Sequence, residues 1–310
     1  MTNSKKNDII FNIFANYEQR EAENLHFVQA KSILSAKNGM NIYRGCSYGC
    51  IYCDARSDCY QMNHAFEDIE VKINAPQLLE AALKSKRRLC MIGTGAMSDP
   101  YCAPERELKL TRQCLELISK YGFGAAVLTK SDLVMRDIDL LEEINTSAKA
   151  VVQMTLTTAD ESLCRIVEPN VCSTWRRAEV LMEMKKRGIP TVMWLTPILP
   201  FINDTESNIR RLVQIGAEAS VRGIITFGIG MTLRTGDREY FYAALDKHFP
   251  EVKQRYIRAF GERYEIPSPN SERLWAVFVS ECERYGIEFR QERIFQYMYE
   301  FPEPQQLTLF

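Results

Sequence analysis

Asn41-Ile42-Tyr43-Arg44-Gly45-Cys46-Ser47-Tyr48-Gly49-Cys50-Ile51-Tyr52-Cys53-Asp54 places three thiols within eight residues, with three and then two residues between them. A loop this short presents all three to one metal centre, and thiolates are the ligands of iron-sulfur clusters. Held by three cysteines, a 4Fe-4S cluster keeps one iron without a protein ligand, and an open coordination position is what a metal needs to take a substrate. Zinc is the competing occupant. A closed zinc site requires a fourth ligand, for which Cys59 or His64 is available, but paired C-x-x-C knuckles are missing. Three buried structural thiols are the remaining alternative, and Gly45 and Gly49 argue against it by surrounding the thiols with polar, turn-forming neighbours.

Outward from this loop, short apolar runs alternate with longer helical patterns. The runs are residues 89–92, 123–128, 150–156, 191–195 and 223–227, whose lengths and β-branched content suit buried parallel strands. Between them, residues 105–121, 174–187 and 205–216 carry charged and apolar side chains at helical spacing. Gly188 and Pro190 punctuate one helix-to-strand passage, and Asp204 or Thr205 caps the helix that follows. With a short strand at residues 40–43 there are six β-α units, which predict an α/β fold: a partial (β/α)6 TIM-type barrel with a C-terminal helical extension. The division expected is an N-terminal segment at residues 1–35, a core at 36–232, helices at 233–300 and a tail at 301–310. In barrels of this kind chemistry sits at the C-terminal strand ends, where the cysteine loop itself falls.

The bulk properties fit. Hydrophobic residues make up 46% and charged residues 25% of the chain, values of an ordinary folded protein, and the net charge of -1 excludes a uniformly basic coat for nucleic acid. Neither a leader peptide nor a stretch of membrane-spanning length is apparent, so a cytoplasmic location without membrane association is expected. Ten cysteines in a reducing compartment read as buried thiols or metal ligands. Basic clusters at residues 84–88, 176–177, 185–187 and 210–211 fall on helices, where charged faces are usually solvated. His26, His64 and His248 read as structural or surface residues.

C-x-x-x-C-x-x-C with an aromatic before the third cysteine resembles the signature of the radical S-adenosylmethionine (SAM) superfamily. The longer N-x-Y-R-G-C-x-x-G-C-x-Y-C is similar to the branch related to spore photoproduct lyase, often labelled DNA repair photolyase-like. The resemblance implies SAM on the open iron, reductive cleavage to methionine and a 5'-deoxyadenosyl radical, and a reducing electron donor as partner. It also implies that the turn Ile92-Gly93-Thr94-Gly95-Ala96-Met97-Ser98 holds the SAM amino group, with Thr94 and Ser98 as candidates. Lys130, in Leu128-Thr129-Lys130-Ser131, is similarly expected to meet the SAM carboxylate. Glu168-Pro169-Asn170 followed by Arg177 resembles the family's E-P-G segment and its helix arginine, and implies a Glu168–Arg177 pair near SAM; a solvated helix face is the alternative. The stiff segment Leu195-Thr196-Pro197-Ile198-Leu199-Pro200 resembles the loop that walls the adenine side. Thr155 and Thr157, at strand period two, present hydroxyls to the ribose or to a neighbouring carbonyl, and Tyr52 borders the adenine.

One departure separates the chain from the lyase. The lyase returns a hydrogen atom from a cysteine in the loop after the second strand, where this chain reads Ala96-Met97-Ser98; Tyr101 and Cys102 are the nearby candidates. The tail, Gln306-Leu307-Thr308-Leu309-Phe310, resembles the Q-L-x-L-F peptide that docks replication and repair proteins on the DNA sliding clamp, with Gln306, Leu307, Leu309 and Phe310 as contacts; a tail folded back on its own domain is the alternative. Together these point to a radical SAM enzyme acting on damaged or modified nucleic acid. A small molecule, peptide or RNA substrate is a second expectation, and a non-catalytic iron-sulfur binding module a third.

Overall fold

The structure, a computed structural model, describes residues 25–302. Its strands are β1 (Leu25–Val28), β2 (Gly39–Met40), β3 (Tyr43–Arg44), β4 (Ile69–Lys72), β5 (Met91–Thr94), β6 (Gly124–Thr129), β7 (Ala150–Thr155), β8 (Thr191–Trp194), β9 (Gly223–Ile225), β10 (Gly230–Thr232) and β11 (Glu265–Pro267). Six of them form one sheet in the order β2-β5-β6-β7-β8-β9, with every neighbouring pair parallel. This is the partial barrel expected from the alternation of runs and periodic segments. Alternate side chains of each strand serve two different cores. Ile92, Val127, Val152, Met154, Met193 and Ile224 pack outward among the helices, whereas Met91, Ala126, Val151, Val192 and Ile225 form a second cluster on the other face. Burial on both faces is why the strands read as continuous apolar runs.

The outer helices include Ala75–Ser85, Leu110–Lys120, Ile138–Ser147, Thr174–Lys186 and Glu206–Glu218. Their starts follow from side-chain capping: the Ser173 hydroxyl accepts from the Arg176 amide, and Thr205, not Asp204, accepts from the Asn208 amide.

Four features differ from expectation. The segment at 105–121 is two helices, Glu105–Leu108 and Leu110–Lys120, broken at Lys109, whose φ is 51°. The Glu105 carboxylate accepts from the Thr111 amide at 2.9 Å and so caps the second helix from the first. Residues 40–43 do not make one strand, because β2 ends at Met40 and β3 joins β1 and β4 in a separate sheet. β1 lies inside the N-terminal segment, for which no strand is expected from the sequence, and it pairs in parallel with β4. The region after residue 232 contains β11, antiparallel to β10, besides its helices. Its helix Gln291–Tyr299 turns back across the inner face of the barrel, where Ile294 and Met298 join the inner cluster. Gly93 allows that approach, since a Cβ there would lie 3.2 Å from the Tyr299 ring. Among the described residues, no helix is long and apolar enough to cross a membrane.

Candidate active site

A cavity of about 810 Å³ opens at the C-terminal ends of the barrel strands. Cys46, Cys50 and Cys53 all line it, as do the turn after β5, Lys130 after β6, Thr155 at the end of β7, Trp194 at the end of β8 and Phe227 after β9. Phe227 is 60% exposed and meets the Trp194 ring edge-on, with centroids 5.7 Å apart. Behind them stands Phe295 of the returning helix, stacked on Phe227 at 6.4 Å. The segment at 265–267 and Tyr264 complete the rim.

The cysteine loop is held from three sides. The Cys46 amide donates to the Phe66 carbonyl at 2.9 Å, and Gly45, with φ of 84°, passes so close that a Cβ would lie 2.5 Å from the same oxygen. From the turn after β5, the Ser98 hydroxyl donates to the Gly45 carbonyl at 2.5 Å, while the Tyr48 hydroxyl donates to the Tyr101 carbonyl at 2.7 Å. From the third side, the Ile51 amide donates to Val167, and the Asn170 side chain donates to the Ser47 carbonyl at 2.8 Å. Asn170, standing where the family's E-P-G has glycine, thus has a structural task.

Tyr52 donates to the Glu168 carboxylate, which pairs with Arg177 at 2.5 Å; both charged side chains are fully buried. Arg177 in turn donates to the Thr155 carbonyl at 2.8 Å. Burial alone would raise the Glu168 carboxyl, but the Arg177 guanidinium and the Lys130 ammonium outweigh it and hold it below its ordinary value. The expected Glu168–Arg177 pair therefore exists. It lies behind the cavity wall and links the cysteine loop to the end of β7. Thr157 joins it, with its hydroxyl 3.5 Å from Glu168, beyond the end of the strand.

Of the other predicted residues, Tyr52, Ser98, Lys130 and Thr155 line the cavity, whereas Thr94 is buried and stands outside the lining. The Ser98 hydroxyl is committed to Gly45. The Lys130 ammonium lies 5.8 Å from the Tyr52 ring centroid. Tyr101 and Cys102 are buried, at 1% and 0% exposure, and neither lines the cavity. The tail residues Gln306, Leu307, Leu309 and Phe310 lie outside the described residues.

Asp99 was not singled out in the sequence, yet it organises the turn. One carboxylate oxygen accepts from the Tyr101 amide at 2.8 Å and the Thr129 hydroxyl at 2.7 Å, and the other accepts from the Lys130 amide at 2.8 Å. Its position directly after the glycine-rich turn was the available signal. Trp194 and Phe227 were legible by the strand-end rule had it been carried to the last two strands.

The donor set suits a thiolate-bound cluster. Burial pushes the Cys46 thiol up to about 12, with Asp99 adding to the effect, and burial also raises Cys50 and Cys53 against the pull of Lys130. Ligation would have to displace those protons, and the nearby Lys130 charge favours the thiolate forms of Cys50 and Cys53. Among the described residues, the group whose ligand atoms close within 4.8 Å, as around a single ion, is His26, His64 and Asp68 and not the cysteines. Cys59 and His64, the fourth ligands that zinc would need, do not line the cavity.

A family model described as the Radical SAM superfamily matches residues 40–247. An uncharacterized protein of Methanocaldococcus jannaschii is 33% identical over 181 residues, 58% of this chain and 67% of that protein. One of Mycobacterium tuberculosis is 26% identical over 263 residues, 81% of this chain and 75% of that protein. Among solved structures, spore photoproduct lyase complexed with dinucleoside spore photoproduct superposes with a TM-score of 0.65 at 14% identity, covering 86% of this chain and 81% of the lyase. A radical S-adenosylmethionine methyltransferase from Kitasatospora setae gives 0.50 at 12% identity, covering 84% and 52%. At these identities the solved structures share the fold.

Proposed function

The chain belongs to the radical SAM superfamily, and from that premise we propose that it holds a 4Fe-4S cluster on Cys46, Cys50 and Cys53, cleaves SAM reductively and acts on a damaged or modified nucleobase. The observation that carries the proposal is the convergence of all three cysteines, Lys130 and an aromatic wall on one cavity at the strand ends. When bound, the cluster and SAM together supply a 5'-deoxyadenosyl radical able to abstract hydrogen. The three thiolates leave one iron open for the amino and carboxylate groups of SAM. Lys130 supplies the positive charge for that carboxylate: burial pulls its pKa down, but Cys50 and Glu168 outweigh this and keep the ammonium charged. Thr155 offers its hydroxyl to the ribose, and Tyr52, pinned by Glu168, borders the adenine.

Trp194 and Phe227 give a planar substrate apolar faces to stack on, which favours a base extruded from a strand over an aliphatic substrate. Residues 306–310 are proposed to dock on a DNA sliding clamp. Supporting this, Lys149, immediately before β7, donates to the Glu300 carbonyl at 3.0 Å, so the chain leaves the barrel at the pole opposite the cysteines. A second reading, in which the substrate is a small molecule, peptide or RNA, draws on the acidic residues Asp54, Asp99 and Glu265 that accompany Lys130 in the lining.

The experiment is to supply the reduced, reconstituted protein with SAM and deuterated candidates: damaged DNA, intact DNA, RNA and metabolites. Deuterium in 5'-deoxyadenosine only with damaged or modified DNA supports the proposal, and deuterium from a metabolite instead moves the substrate to the second reading. No 5'-deoxyadenosine with any of them overturns the enzymatic proposal and leaves a binding module.

A further inference from the structure

The chain contains three histidines, and the fold brings two of them together from separate elements. His26 lies on β1 and His64 in the segment before β4, and their ring centroids are 4.4 Å apart at an interplanar angle of 33°. Asp68 joins them, with its carboxylate 3.8 Å from His26 Nε2. One ligand atom from each of the three lies within 4.8 Å of the other two. The ring orientation of His64 is set by a contact of Nδ1 with the Ala65 carbonyl at 3.1 Å. That contact fixes the proton on Nδ1 and leaves Nε2 with a free lone pair, the arrangement by which a backbone carbonyl prepares an imidazole for a metal.

We propose that His26, His64 and Asp68 form a second metal site, separate from the cysteines, for a divalent transition ion of the zinc type. Two imidazoles and a carboxylate match the preferences of zinc, whose bonds of about 2.0–2.2 Å require the ligand atoms to close to roughly 3.4 Å. The required closure is small, and His26, whose side chain is 48% exposed, can make it by rotating its ring. The same exposure leaves the fourth position to water.

The site is a staple. Among the described residues β1 is the edge strand of its three-stranded sheet and pairs with β4 alone. The segment carrying His64 and Asp68 also carries Phe66, whose carbonyl receives the Cys46 amide. An ion bound here ties the edge strand to the segment that shapes the cysteine loop.

The test uses the full-length protein with its cluster already loaded, so that the cysteines are occupied. After equimolar zinc and desalting, iron and zinc are counted in wild type, His64→Ala and His26→Asn. Expected are about one zinc per chain in wild type, a zinc absorption-edge spectrum with nitrogen and oxygen neighbours and no sulfur, and a higher melting temperature. Both variants should lose the zinc and the thermal gain while keeping the iron. Wild type retaining no zinc overturns the site, as does equal zinc in wild type and variants, or sulfur around the zinc. Since both variants change solvent-accessible rings, unchanged iron content certifies their fold.

Discussion

The Arg177 guanidinium meets the Glu168 carboxylate at 2.5 Å with neither side chain exposed, and Glu168 simultaneously receives the hydroxyl of Tyr52, which stands between Cys50 and Cys53. Removing one partner strands the other charge in the interior. Arg177→Met and Glu168→Gln should each lower stability by about 3–5 kcal/mol in denaturant titrations. Loss through the charge pair predicts that the double variant costs less than the two singles summed.

Gly95 has φ of 97°, and a Cβ on it would lie 1.9 Å from the Leu128 carbonyl oxygen. The turn and the end of β6 cannot both stay in place if that atom is added. Gly95→Ala is expected to destabilise the fold by about 1–3 kcal/mol. In whatever protein remains folded, it should weaken SAM binding, measured by equilibrium dialysis, more than it lowers iron content.

Lys130 is the cationic side chain in the cavity lining. Lys130→Met keeps the length and removes the charge. SAM affinity should fall about tenfold or more, the worth of one charge-assisted hydrogen bond, with iron content unchanged. Cys53→Ser, by contrast, should lose both the iron and the cleavage of SAM.

Asp237, at the start of the helix Asp237–His248, is raised from the ordinary 3.8 to about 6, burial outweighing the hydrogen bond it accepts from the Arg234 amide. A carboxyl with a higher pKa folded than unfolded binds more protons in the folded state between those values. Its contribution to stability is therefore full below pH 3.8, declines as pH rises toward about 6, and is flat above. Asp237→Asn should remove that part of the slope from stability measured across the window, and an unchanged slope would assign it to other groups.

For the tail, purified sliding clamp should bind the full chain, and deletion of Leu309 and Phe310 should abolish binding while leaving SAM cleavage intact. Equal binding without them would end the clamp proposal.

What the sequence disclosed is what is local. The cysteine spacing and the β-α alternation are periodicities within short windows, so they marked the loop and the barrel strands. The Glu168–Arg177 pair was legible because its members flank one helix start, but its burial behind the wall was not, because that depends on Tyr52 and Thr155 from elsewhere. Ser98 looked like a free hydroxyl, and only the fold gives it Gly45 as partner. Tyr101 and Cys102 lie a few residues beyond the loop position of the lyase's hydrogen donor, and the chain direction there buries both. His64 stood out only as a fourth ligand beside the cysteines, and nothing in the sequence joined it to His26, since the two meet through the pairing of β1 with β4.

The inner face of the sheet is filled by a segment made much later than the sheet itself: β9 ends at Ile225, and the helix Gln291–Tyr299 follows only after three further helices of the described chain. During synthesis all six barrel strands therefore emerge before their filling exists, with Met91, Val151, Val192 and Ile225 facing an empty groove. Until Ile294 and Met298 arrive, the nascent protein is a sticky open trough, the kind of surface that chaperones recognise. A stop codon at residue 290 would therefore be expected to yield insoluble chain, not a shortened protein.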